Sequence, residues 1–219
     1  TEEMPKVAAH WQELALRFHA IYSGFLASER QIGIVSDFIR TFRRSDTLVV
    51  IDPVMGDDGK AYQTYTSALC SGMTHLAELA DVITPNLTEA ALLLGQPYET
   101  LPAGEAGLRE ITERLSLGGR RSVVLTGASL APGRTGAVCF DARTGKTEAV
   151  QTAYVAHEFH GTGDVFSSVL TGALVRGESL SSAAVRACAE RTAAEDLPMR
   201  EGVDFEPLLG LLIPGKETV

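Results

Sequence analysis

"TLVVIDPVMGDDGK", residues 47–60, decides the fold. From Leu48 to Ile51 every side chain is apolar and three of the four are β-branched, and Pro53 stops the run. That pattern predicts a short buried strand. A lone acid, Asp52, stands at its end, and a glycine-flanked loop carrying Asp57 and Asp58 follows.

Outward from this strand, the chain alternates. Upstream, Pro5 followed by Val7, Ala8, Trp11, Leu14 and Ala15 predicts an amphipathic helix from about Met4. "AIYSGFL" (20–26) predicts a strand, and Ser28 caps a helix through about Phe42, with Ile32, Val35, Phe38 and Ile39 on one face. Downstream, a loop "VMGDDGKAYQ" leads to a helix over 64–79, a strand "DVITPN" over 81–86, and a helix "LTEAALLLG" that stops at Gly95. A further helix over 104–117 precedes the strand "RSVVLTG" (121–127). Two strands joined by a turn near residues 143–146 come next, then helices from Gly163 and from about Ser181. This alternation predicts one α/β domain over 1–219, with a mostly parallel central sheet and helices on both faces. In such sheets ligands sit beyond the carboxyl ends of the strands. Asp52, Thr84, Asn86 and Thr126 fall at such ends and are expected on one rim.

The bulk numbers narrow the function classes. Of 219 residues, 45% are hydrophobic and 21% charged, as in a globular protein with a sizeable core. Nineteen Lys and Arg against 28 Asp and Glu give a net charge of −9, with no basic block, which argues against nucleic-acid binding. The three cysteines, Cys70, Cys139 and Cys188, form no metal spacing and are expected to be reduced and structural. Apolar runs such as "AALLLG" are too short to span a membrane, so a cytoplasmic location is the default. His10, His19, His75, His157 and His160 show no metal spacing; His160 abuts a glycine turn and is a candidate pocket residue.

Three polar groups carry chemistry. "FHGTGDVFSSVLTGAL" (159–174) places Gly161, Thr162, Gly163 and Asp164 at the mouth of an apolar helix. First-turn amides there lack intrahelical partners and favour an anion, while Asp164 is either a helix cap or a proton acceptor. Local chemistry alone favours the cap. The turn is neither a Walker loop nor a dinucleotide fingerprint, because Phe166 stands at the third glycine position. In "DPVMGDDGK", Asp52 and Asp57 read equally well as hard oxygen ligands for Mg²⁺ or as strand-end and turn residues, and Asp58 as a turn residue. In "TPNLTEA" (84–90), Asn86 and Glu89 have capping-box spacing, against a role in a metal–phosphate cluster.

The order of these elements, "DPVMGD", "TPNLTEA", "VLTG", then "GTGD" opening a helix, resembles the ribokinase-like superfamily, and within it the pyridoxal (pyridoxamine) kinases. The resemblance covers essentially the whole chain, from "AIYSGFLAS" to "GVDFEPLL". It implies phosphorylation of the 5′-hydroxymethyl group of a B6 vitamer by ATP. Asp164 would be the base, and Gly161, Thr162 and Gly163 the anion hole. Asn86, Glu89, Thr126 and Gly127 would serve ATP; Asp52, Asp57, Thr84 and Glu89 would surround Mg²⁺; Phe25, Phe159 and His160 would line the vitamin pocket. Phe25 stands where relatives often have Tyr. A monovalent cation and a homodimer are further implications.

Hydroxymethylpyrimidine kinases of thiamine synthesis have similar segments but typically carry Cys where Asp164 stands, so the acid points to the B6 branch. A non-catalytic nucleotide- or vitamin-binding regulator is the alternative outside enzymes. The chain opens at Thr1, and relatives begin with an additional strand–helix portion that would carry part of the pocket and a lid. The stretch 184–205 is also shorter than the resemblance leads one to expect.

Overall fold

The computed structural model describes residues 1–154 and 161–195, and side chains through residue 189. In chain order the elements are α1 (Glu3–Glu13), β1 (Ala20–Ser23), α2 (Glu29–Phe42), β2 (Leu48–Ile51), β3 (Gly56–Asp57), β4 (Lys60–Ala61) and α3 (Ser67–Ala77). They continue with β5 (Val82–Ile83), α4 (Leu87–Leu94), a single 3₁₀ turn (Tyr98–Thr100), α5 (Gly104–Leu115) and β6 (Ser122–Thr126). The last are β7 (Arg134–Asp141), β8 (Lys146–Ala153), α6 (Thr162–Val175) and α7 (Leu180–Glu195).

Six strands form one sheet in the order β1-β2-β5-β6-β7-β8. The first four run parallel, and β7 and β8 add antiparallel strands at one edge. The alternation of β2 explains how one strand serves two cores: successive side chains leave opposite faces. Val49 and Ile51 join Ile32, Ile39, Met73, Leu76, Ile111 and Leu115 under α2, α3 and α5. Val50 joins Val82, Val124, Phe166, Leu170 and Ala183 under α6 and α7. Helix α1 buries none of its side chains fully; Trp11 leans on Phe18 and Phe38 at ring distances of 5.4 and 6.0 Å.

Helix starts follow the sequence chemistry. Ser28 accepts the Gln31 N–H and Thr66 accepts the Leu69 N–H, each satisfying a first-turn donor. At the far end of α4, Gly95 is left-handed, as its expected stop requires.

Several expected boundaries move. The strand expected over 20–26 ends at Ser23, where Gly24 leaves the ladder. The strand expected over 81–86 pairs only at Val82–Ile83, because Pro85 has no N–H to give a ladder. The helix expected over 64–79 spans Ser67–Ala77. The stretch expected as a plain loop after Asp52 contains a small antiparallel hairpin, β3–β4. Asp58 and Gly59 form its turn with φ of 49° and 76°, the positive values that a two-residue hairpin turn needs. The shortness inferred for 184–205 falls partly outside the described residues.

Candidate functional site

The strand ends meet at one rim, as expected. The Asp52 N–H donates to Ser23 O at 2.9 Å, and the Thr84 N–H to Ile51 O at 3.2 Å. The Thr126 N–H donates to Pro85 O at 2.8 Å, and its hydroxyl donates to the same carbonyl at 3.3 Å. Asp52, Thr84 and Thr126 therefore lie in consecutive places along the carboxyl edge of the parallel strands.

Behind this rim sits a buried polar cluster. The Ser167 hydroxyl donates to Asp52 Oδ2 at 3.2 Å, and Thr84 Oγ1 lies 3.3 Å from Ser167 Oγ. Asp52, Thr84 and Ser167 are 7%, 2% and 1% exposed. Burial pushes the Asp52 carboxyl up to about 7, hydrogen bonds from Thr84 and Ser167 pull it back, and the Asp164 charge raises it further.

Glu89, also buried, accepts the Asn86 N–H at 2.8 Å and the Met55 N–H at 3.2 Å. Burial, then the charges of Asp52 and Asp57, hold its carboxyl well above the usual range against those two bonds. The Asn86 side chain accepts the Glu89 N–H at 2.9 Å, completing a capping box on α4, and its amide donates to Gly56 O at 2.9 Å. Thr88 accepts the Gly59 N–H at 2.8 Å. One helix start thus holds both Glu89 and the β3–β4 hairpin in place.

Asp57 is exposed on that hairpin, and its Oδ1 accepts the Asp58 N–H. Among the described residues, Asp52 and Glu89 make no ion pair, and no three Asp, Glu, His or Cys side chains converge into a closed metal cage. This donor set fits Mg²⁺, which takes one or two carboxylates and completes its shell with water and nucleotide phosphate oxygens.

Helix α6 opens on the other side of the same rim. Gly161 is its N-cap with φ of 90°, a left-handed conformation that suits glycine, and it brings no capping side chain. Asp164 is therefore not the cap residue; it stands in the first turn, exposed, where the helix dipole favours a negative charge. Its Oδ1 accepts the Tyr22 hydroxyl at 3.4 Å. A Cβ on Gly163 would lie 3.9 Å from Asp52 Oδ2, so the glycine turn abuts the buried acid. Phe25 is 52% exposed just beyond β1, its ring 5.9 Å from that of Tyr65. Gly127 is exposed after β6. Phe159 and His160 lie outside the described residues.

Sequence reasoning missed two members of the cluster. Tyr22 could have been found from strand alternation, because Ile21 belongs to the α2 face and Tyr22 to the α6 face. Ser167 stands three residues beyond Asp164, on the same side of α6, and that spacing was its signal. The described histidines, His10, His19 and His75, are exposed; Cys139 and Cys188 are buried, Cys70 is half-buried, and none of the three is in a disulfide among the described residues. No described helix is long and apolar enough to cross a membrane.

Comparison with known proteins matches residues 7–199 to the family model described as phosphomethylpyrimidine kinase. The chain is 31% identical over 192 residues, 88% of its length, to the thiamine biosynthesis bifunctional protein ThiED of Geobacter sulfurreducens. It is 35% identical over 150 residues, 66% of its length, to the pyridoxine/pyridoxal/pyridoxamine kinase of Bordetella bronchiseptica. It spans 38% and 50% of those two proteins. A Bacteroides thetaiotaomicron protein, provisionally described as a phosphomethylpyrimidine kinase and crystallised with pyridoxal, superposes with a TM-score of 0.86 at 40% identity. That match covers 97% of this chain and 77% of the other.

Proposed function

The chain belongs to the phosphomethylpyrimidine kinase family, and on that premise we propose that it transfers the γ-phosphoryl group of ATP to the 5′-hydroxymethyl group of a B6 vitamer. One observation carries the reading: Asp164 stands in the first turn of α6, beside the strand-end cluster of Asp52, Thr84 and Ser167. A carboxylate at an anion-favouring helix mouth has a use if an alcohol must lose its proton as it attacks a phosphate.

In this scheme the substrate hydroxyl proton passes to the Asp164 carboxylate. The oxygen–phosphorus bond forms as the bond from the γ-phosphorus to the β-phosphate oxygen breaks. A loose transition state lets the proton leave late, so an ordinary carboxylate suffices as base. The amides of Gly161, Thr162 and Gly163 face the transferring group and stabilise its charge. Asp52, Asp57, Thr84 and Glu89 would hold Mg²⁺, which supplies charge neutralisation on the phosphates. Asn86, Thr126 and Gly127 line the nucleotide side, the first through a side chain already committed to the α4 cap and the hairpin. Phe25 offers an exposed ring for stacking on the pyridine, and the family resemblance would add Phe159 and His160 to the vitamin pocket.

Support for a B6 vitamer comes from Asp164 itself and from the likeness to the Bacteroides protein crystallised with pyridoxal. A second reading, phosphorylation of hydroxymethylpyrimidine, is favoured by the likeness to the Geobacter thiamine protein, which extends over 88% of this chain. Incubation with MgATP and a mixture of pyridoxal, pyridoxine, pyridoxamine and hydroxymethylpyrimidine, with products read by mass, separates the two. A phosphorylated vitamer supports the first, phosphate on the pyrimidine alone supports the second, and nucleotide binding without product overturns both in favour of a regulator.

A further inference from the structure

We propose that Tyr22 is a positioning residue for Asp164, its phenol holding one carboxylate oxygen of the base at the mouth of α6. This rests on the kinase reading above. The two residues are 142 positions apart and meet because β1 ends beside the start of α6. The Tyr22 hydroxyl donates to Asp164 Oδ1 at 3.4 Å.

Proton accounting favours this partner. The phenol has one proton, and its two polar neighbours are the Asp164 carboxylate, which can only accept, and the Ser167 hydroxyl. A charged acceptor makes the stronger bond. Ser167 in turn gives its own proton to Asp52 Oδ2 at 3.2 Å. Burial, and the charges of Asp52 and Asp164, push the Tyr22 hydroxyl upward, which keeps it a donor across working pH.

The contact also depends on an empty space. A Cβ at Gly24 would come within 3.0 Å of Tyr22 Oη and 3.7 Å of Asp164 Oδ1. The missing side chain leaves room for phenol and carboxylate to meet. An exposed aspartate samples several rotamers, and fixing one oxygen restricts it to the geometry in which it can receive the proton.

The test compares kcat and the KM values for ATP and acceptor in wild type, Tyr22→Phe, Gly24→Ala and the double variant. Tyr22→Phe keeps the ring and loses one oxygen; its kcat is expected to fall about tenfold, with both KM values within about twofold. Gly24→Ala is expected to lower kcat as well, and to have no further effect in the Tyr22→Phe background, where the crowded oxygen is gone. A Tyr22→Phe enzyme with wild-type kcat, a loss seen only in KM, or additive effects of the two substitutions overturns the inference while leaving the kinase reading intact. A wild-type protein inactive on every acceptor overturns the kinase reading and this inference together.

Discussion

Ser167 and Asp52, 115 residues apart, are joined by a hydrogen bond buried between α6 and the end of β2. The bond ties the helix that carries Asp164 to the strand end expected to face the cation. Loss of that hydroxyl strips a donor from a carboxylate with little access to water.

Ser167→Ala is therefore expected to destabilise the protein by about 1–3 kcal/mol, because a buried acceptor loses a partner. The loss should be larger at pH 8 than at pH 5, since the ionised form of Asp52 needs the donor most. Urea unfolding at the two pH values checks this.

Asp52 makes stability itself pH-dependent. Its carboxyl is raised from 3.8 to about 7 in the folded chain, so the folded state holds more protons than the unfolded state between those values. Its contribution is present below about pH 4 and lost as pH rises through about 7. Asp52→Asn is expected to melt higher than wild type at pH 8, with the difference shrinking toward pH 4. Mg²⁺ with a non-hydrolysable ATP analogue should raise the wild-type Tm more at pH 8 than at pH 5. Thermal melts across the range measure both.

Asp164→Asn is expected to lower kcat by about 10²–10⁴, the usual contribution of a general base. The affinity for MgATP should change by less than about threefold, because the proposed role places the residue on the acceptor side. Steady-state rates and calorimetric titration of the nucleotide separate the two; near-normal kcat would remove Asp164 from its role.

Asn86 serves α4 and the hairpin through different atoms. Asn86→Ala loses both and is expected to cost about 1–2 kcal/mol of stability. Asn86→Asp keeps the capping oxygen and loses the donor to Gly56 O. It should retain most of the stability while the amides of 56–61 exchange faster with solvent, which hydrogen exchange reads directly.

Much of the fold was legible because its signals are local. The run Leu48–Ile51 is too apolar and too β-branched to be anything but a buried strand, and Ser28 and Asn86 stand where caps form. The strand around Val82 was overdrawn because "DVITPN" looks extended throughout, and extended backbone is not the same as a paired ladder. The hairpin was passed over because its strands are two residues long, too short for alternation to show, although the Asp58–Gly59 pair marked its turn.

The site was legible in parts. Asp52, Thr84 and Thr126 could be placed on one rim because each ends a recognisable strand. Tyr22 and Ser167 could not be singled out by type, since a tyrosine in a strand and a serine in a helix are ordinary. Alternation along β1 and the three-residue spacing on α6 give the faces these two residues occupy, but the meeting of those faces comes from the crossing of β1 and α6.

Helices α2, α3 and α4 begin on side-chain caps, and α6 begins on a left-handed glycine that provides none. For anyone adapting the protein to heat, that helix start looks like a place to install an asparagine cap, but at φ of 90° a side chain carries strain that offsets the few tenths of a kcal/mol, roughly, that a cap adds over glycine. The substitution would also set an amide oxygen among the donors that the proposed reaction needs for its phosphate. Thermal hardening of this chain is better directed at its outer surfaces, with Gly161 left untouched.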